Sequence, residues 1–497
     1  MKSKKIFKNI FSSFFVYAII LVLSITVSRF VILSYGSETN GLVASVNQIF
    51  QYIALLESGI GTATITAFYS PLAKRNIEEI SGVFYASQKY YRKMTKWYFV
   101  CVVIVSIIWP LVLDTNLPYT VIFLFIFIQG ISGVITFSYI STISNFFVAS
   151  GENYINVNIH FFVTILTYIL RIIICTFKLN VVFLSVAGLS INLIKCFIYK
   201  KFLNKSNVSL NKPSVVDTTL LKQKNAFLIH EISGVIFSST DTITLSVFCS
   251  LTMASIYSVY SMVLTSINTI IGQVLNGCYF ILGDAYNKGR EYYIKIHDAF
   301  NSIFICLVFA IYSITYVFLL PFITLYTSGI NDANYIDNKL PILFILIQIL
   351  SSCRLVDNYL IKISLNAKKT VNRSLLESLI NLTFSVILVQ YIGIYGVLLG
   401  TIIALLYRSN DIIMYSNKKI LKRSSLKEYK LYFINLILFA FVCYFTTKYP
   451  VVSTSYINLI CKAALYSVCI FILFIASNII FNYKNYKFLF DSFFLKR

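Results

Sequence analysis

Long apolar stretches alternate with short polar segments from one end of the chain to the other. A membrane-spanning helix needs about 20 such residues, because the hydrocarbon core is about 30 Å thick and a helix rises about 1.5 Å per residue. The pattern predicts fourteen spans, at 10–34, 42–69, 97–113, 119–149, 157–177, 180–200, 226–250, 253–283, 300–326, 341–366, 371–391, 393–416, 430–447 and 455–481. Gly393 and Gly396 mark the tight break between the eleventh and twelfth. No connection is long enough for a folded soluble domain: the longest are 70–96 and 201–225 on one face and 327–340 on the other. A globular catalytic head is therefore excluded, and any chemistry belongs within the helix bundle or at its faces.

Composition agrees with that pattern. Of 497 residues, 58% are hydrophobic and 12% charged, against roughly 25% charged in a soluble domain. The net charge of +23 would suggest nucleic acid in a soluble protein; in a polytopic one it reads as basic cytoplasmic loops, so no nucleic-acid partner is expected. With the N-terminus inside and the spans alternating, 33 of the 42 Lys and Arg fall on the inner side, and the outer ends keep only Lys178, Lys339, Lys448 and Lys462. Such a bias supports an even number of spans and two cytoplasmic termini. The ten cysteines lie singly in apolar stretches, with no CxxC pair and no histidine at ligand spacing, and read as small buried hydrophobes. No metal ligands and no cofactor are expected. The first apolar run is too long for a cleavable signal peptide.

The segment from Gly41, GLVASVNQIFQYIALLESGIGTATITAFYSPLAKRNIEEISGVFYAS, has a counterpart from Ala254, ASIYSVYSMVLTSINTIIGQVLNGCYFILGDAYNKGREYYIKIHDAF. Each has a small-residue start, a long helix dotted with polar residues, a short break and a basic amphipathic stretch. The two lie six spans apart, so both halves insert in the same direction. Two parallel six-helix lobes with a substrate site between them are a transporter design. The implied organisation is a lobe at 1–203, a basic cytoplasmic linker at 204–225, a second lobe at 226–417, and a segment at 418–497 with two peripheral spans and a cytoplasmic tail.

Ionisable residues within spans are costly and face a cavity or one another. They are Arg29, Glu57, Arg171, Glu231, Asp241, Arg354, Asp357, Lys362, Glu377, Arg408 and Asp411. Arg354 with Asp357, and Arg408 with Asp411, are three apart and predict local ion pairs. Lys362, Glu231, Glu377 and His230 lie near inner span ends, where they can reach the interface. Arg29, Glu57, Arg171, Asp241 and Arg354 lie deeper. Cations in both lobes suit an anionic substrate, and arginine offers paired donors to phosphate. Ser239, Thr240, Asn268 and similar residues predict interhelical hydrogen bonds. Walker A, HExxH, GxSxG and DxD patterns are absent, so the chain offers no nucleotide site and no enzyme motif.

The stretch Tyr35-Gly36-Ser37-Glu38-Thr39-Asn40-Gly41-Leu42-Val43, followed by Leu55-Leu56-Glu57-Ser58-Gly59-Ile60-Gly61 and Pro71-Leu72-Ala73-Lys74, resembles the start of bacterial polysaccharide-export flippases. Ser239-Thr240-Asp241 and Ser255-Ile256-Tyr257-Ser258-Val259-Tyr260 look like the seventh-to-eighth span signature of the same family, within the multidrug/oligosaccharidyl-lipid/polysaccharide (MOP) exporter superfamily. The resemblance implies a flippase of the bacterial inner membrane. Such a flippase carries undecaprenyl-pyrophosphate-linked oligosaccharides to the outer leaflet for capsule, O-antigen or related polymers. It further implies alternating access and, as partners, a polymerase and glycosyltransferases. It assigns Arg29, Arg171 and Arg354 to substrate binding, and Glu57, Asp241 and Asp357 to coupling or gating. With no nucleotide site, uphill transport draws on a proton or sodium gradient, or the flip runs downhill. The rival readings are a cation-coupled multidrug exporter of the same superfamily, a multi-span polymerase and a scaffold.

Overall fold

The computed structural model describes residues 2–57, 60–205 and 224–494, and among them all regular structure is helical. The expected linker therefore lies largely outside the described residues, as do the side chains of His230 and Glu231. Eleven helical runs are long and apolar enough to cross a membrane, and Ile19–Tyr35 forms a shorter apolar stretch. With the second and seventh spans they make an all-α polytopic membrane protein of about fourteen spanning segments.

The first span is α1 (Lys2–Tyr35). Gly36 follows at φ 86°, a left-handed conformation natural to glycine, and turns the chain directly into α2 (Ser37–Ala54). The second span is not one helix. It breaks in a 3-10 turn, Leu55–Glu57, and resumes as α3 (Ile60–Lys74). The sequence at the break, Glu57-Ser58-Gly59-Ile60-Gly61, is poor in helix formers.

Nor is 70–96 a loop. After a two-residue turn, α4 (Ile77–Val112) runs through it into the third span. The Asn76 side chain caps this helix by accepting from the backbone N–H of Glu78 and Glu79 at 3.1 and 3.3 Å. Both glutamates add negative charge where the helix dipole favours it. The fourth span is α5 (Tyr119–Ile135), a π-helical turn at Thr136–Ile140, and α6 (Ser141–Ala149). Then follow α7 (Asn153–Thr176), α8 (Val182–Lys205), α9 (Lys224–Phe248) and α10 (Leu251–Asn287).

The same hairpin recurs after α10. Lys288 and Gly289 turn the chain into α11 (Arg290–Tyr326), 37 residues against 36 in α4, with a proline near the far end of each, Pro321 and Pro110. The tenth span is split at Arg354 into α12 (Leu340–Cys353) and α13 (Leu355–Ile363). The remainder comprises α14 (Val371–Ile392), α15 (Ile394–Tyr415) with a π-helical extension to Ile420, α16 (Leu426–Lys448), α17 (Tyr456–Phe481) and α18 (Tyr483–Phe494).

Packing divides the chain into two compact units, Met1–Ser255 and Ile256–Arg497. In the first, one core gathers Val27, Val46, Phe125 and Leu184, and a second gathers Phe68, Phe84, Phe147 and Ile159. In the second unit α11 is the axle. Of its span, 67% is buried, against 17% for α17. The thirteenth and fourteenth spans expose most of their surface, as expected of peripheral helices, yet α16, α17 and α18 all pack on α11.

Fully buried Asn435 and Asn478 join α16 to α17 through reciprocal side-chain hydrogen bonds of 3.1 and 2.8 Å. Replacing Asn435 with leucine strands one carboxamide in an apolar seam. The expected cost is about 1–2 kcal/mol. The double variant Asn435→Leu/Asn478→Leu should recover most of it, read as the midpoint of thermal unfolding in detergent.

Candidate functional site

The first unit holds four of the six residues expected to act. Arg29 is half-buried in α1, one residue beyond Ser28. Ser28 donates to Asn40 Oδ1 at 2.9 Å, and Asn40 donates in turn to Ser255 at 2.8 Å. Glu57 lies in the 3-10 break of the second span, in electrostatic reach of Tyr98. Arg171 is half-buried in α7 beside Tyr168 and Cys175, with its Nε buried and lacking a hydrogen-bond partner. Gly188 on α8 leaves room for it: a Cβ there would stand 4.0 Å from the guanidinium. Asp241 is buried in α9, next to the seam where Ser239 donates to Gln51 at 2.9 Å and the Tyr52 hydroxyl bonds Thr240 at 2.7 Å. That seam fulfils the interhelical role expected of the serine and threonine run.

In the second unit the structure corrects the pairing of Arg354 and Asp357. The helix breaks at Arg354, so the two do not share a continuous helical face. Arg354 instead reaches α14, where its Nη1 donates to Glu377 at 2.6 Å. Glu377 does not reach the interface; it is buried, and its other oxygen lies 3.4 Å from Arg408 Nε. Arg408 also pairs with Asp411 at 2.7 Å, the i,i+3 pair expected, and donates to Ser374 at 2.9 Å. Asp411 is further bonded by Arg373, whose guanidinium stacks 5.0 Å from the Tyr415 ring centre. Three arginines thus meet two carboxylates, and the network keeps one positive charge. Lys362 is exposed and lies over the Tyr359 ring.

Asp357 joins a different group. It is fully buried on α13, with Oδ1 3.4 Å from Nε2 of His297 on α11. Glu428, from the first turn of α16, completes the set, and one donor atom from each of the three lies within 4.8 Å of the others. Arg423 pairs with Asp298 and, at 3.2 Å, with Glu428. Its Nε donates to Asn417 of the π-helical extension at 2.7 Å. Sequence reading missed His297, Asp298 and Glu428, because their charge moved the predicted spans to start at 300 and 430. The register signal was present: Tyr293, His297 and Asn301 follow at intervals of four, a helical face extending below the apolar run.

No family model and no curated protein matches the chain. Among solved structures it is similar to an inward-facing multidrug resistance MATE family transporter of the MOP superfamily, at 14% identity over 81% of this chain and 95% of that one, TM-score 0.66. It is also similar to the lipid II flippase MurJ in an inward closed conformation, at 14% identity over 93% and 98%, TM-score 0.67. A MATE transporter in a bent conformation aligns at 15% identity over 84% and 97%, TM-score 0.58. The chain shares the fold of these solved structures over most of its length. At these identities the likeness is one of fold. The two charged groups of the second unit stand where a helix is broken or where helices converge. There charge is held by protein rather than lipid.

Proposed function

We propose that this chain is a flippase that moves an anionic, polyprenyl-diphosphate-linked oligosaccharide across the bacterial inner membrane by alternating access. The observation that carries the reading is the positive surplus of the Arg354–Glu377–Arg408–Asp411–Arg373 network at the α12–α13 break. A fixed guanidinium cluster with one unbalanced charge favours a diphosphate and disfavours a hydrophobic cation. Arg29 and Arg171 are assigned the same role in the N-terminal half. Glu57, Asp241 and Asp357 are the acids available for gating or for exchange of a proton or sodium ion. Both termini are cytoplasmic in this reading, because 33 of the 42 basic residues then face the cytoplasm. A polymerase and glycosyltransferases act before and after the flip on the same lipid-linked unit.

The test is flipping in proteoliposomes loaded with a fluorescent polyprenyl-diphosphate oligosaccharide. Arg354→Ala is expected to slow the initial rate about 10- to 100-fold, equivalent to the ~1.5–3 kcal/mol of a charged hydrogen bond. Arg354→Lys is expected to remain impaired, since an ammonium cannot reproduce the planar pair of donors. Wild-type rates in both variants remove Arg354 from the substrate path. Uptake of a hydrophobic cation by the wild type, with no flipping, makes the chain a multidrug exporter instead.

A further inference from the structure

We infer that His297, Asp357 and Glu428 form a binding site for a divalent first-row transition-metal ion. The inference stands apart from the transport reading and rests on donor chemistry, burial and charge. All three residues are at most 4% exposed. Asp357 Oδ2 and Glu428 Oε2 are buried without a hydrogen-bond partner, and His297 Nε2 and Asp357 Oδ1 face each other at 3.4 Å without a well-formed hydrogen bond. Leaving so many buried polar atoms unmatched is expensive, and native structures rarely do so. The three residues come from three helices, α11, α13 and α16, and one donor atom of each lies within 4.8 Å of the others.

The charge balance asks for a cation. Asp298, Asp357 and Glu428 contribute three carboxylates, and Arg423 is the guanidinium that contacts the group. Ligation through nitrogen requires His297 neutral, and in that form the three carboxylates and one guanidinium leave two negative charges for a divalent ion; without an ion, a proton on His297 offsets part of the same charge. One imidazole nitrogen with two carboxylates is a borderline-soft set, suited to zinc, cobalt, iron or manganese rather than to sodium or calcium. The approach of Nε2 to Asp357 at 3.4 Å is close to the spacing of two ligands on one small ion.

The surroundings serve the same end. Coordination through Nε2 places the imidazole proton on Nδ1, which faces the carboxylates of Asp298 and Glu428 at 3.8 and 4.0 Å; Arg423 Nη2, 3.5 Å from Nδ1, then donates to Glu428 and not to the ring. A carboxylate behind the ligand imidazole raises its basicity. Tyr293 and Asn301, one turn to either side of His297, also present unpartnered buried polar atoms. Asp298, Asn301 and Glu428 line a cavity of about 430 Å³ that also reaches exposed Lys427, Lys430 and Lys484. That cavity gives an ion a route from solvent to Glu428. Bound there, the ion would clamp α16 to α11 and α13.

The test uses the full chain, purified in detergent and stripped with a chelator, titrated separately with Zn²⁺, Co²⁺ and Mn²⁺. Saturable binding of about one ion per chain is expected, with a metal-dependent rise in the unfolding midpoint. Bound Co²⁺ should show the visible absorption of a nitrogen–oxygen ligand set. The isosteric variants Glu428→Gln and Asp357→Asn should lose at least ten-fold in affinity. Asp284→Asn, which alters an exposed ion pair with Lys288, should not. Absence of saturable binding by all three ions overturns the proposal, whatever the variants do. So does unchanged affinity in both isosteric variants, which would place the bound ion elsewhere.

Discussion

Replacing Glu377 with alanine is expected to destabilise the second unit by about 3 kcal/mol. Arg408 keeps Asp411 as a partner in that variant, but Arg354 loses the carboxylate that it contacts at 2.6 Å. A guanidinium only 14% exposed is then left uncompensated. Breaking a buried pair from one side costs far more than removing it whole. The double variant Arg354→Met/Glu377→Leu should therefore be markedly more stable than Glu377→Ala alone. Thermal unfolding of the detergent-solubilised protein reads both. A double variant no better than the single one would show that the residues are not coupled.

The second large effect is expected at Gly41. This glycine sits on α2 against the first residue of α10, and a Cβ there would lie 1.8 Å from the Leu251 carbonyl oxygen and 2.6 Å from its carbon. Backbone cannot step aside as a flexible side chain can. Gly41→Ala is expected to cost about 3 kcal/mol and to deplete folded protein from the membrane. Gly61→Ala is the matched comparison. Its nearest neighbours, on Asn145 and Tyr91, lie at 3.8 Å, ordinary contact, and the site is in α3. There the added methyl should be neutral or stabilise by about 0.5–1 kcal/mol. Equal folded yields of the two variants would refute the close approach at Gly41.

Sequence pattern made the spans legible because burial in lipid demands length and apolarity, and both are local properties. The Arg408–Asp411 pair was legible for the same reason, since three residues along an unbroken helix share a face. Arg354 and Asp357 have the same spacing, but the helix breaks at Arg354 itself, and periodicity cannot foresee where a helix breaks. The group of His297, Asp357 and Glu428 spans 131 positions of sequence, from 297 to 428, and only packing brings it together. Asp357 was legible within its span, but His297 and Glu428 were hidden by the hydropathy that found the spans. Charged and polar residues near the start of a helix lower the local average, so each span was drawn as starting just beyond them. The 70–96 stretch failed in the opposite sense: its polarity suggested a loop, while the Asn76 cap and the glutamates behind it start a helix.

A helix of 36 or 37 residues is about 55 Å long, well beyond the ~30 Å of hydrocarbon it has to cross. Both α4 and α11 therefore carry helix outside the apolar layer, about 30 Å over 77–96 and about 15 Å over 290–299, with no loop where the rod leaves it. Asn76 and Gly289 stand at the tips of those rods. A push on either tip has no joint to absorb it and is delivered as tilt to the buried half, as a tiller transmits to a rudder. For α11 the buried half is the axle of its unit, so a grip on the tip, by lipid headgroups or another protein, is mechanically a grip on the whole unit.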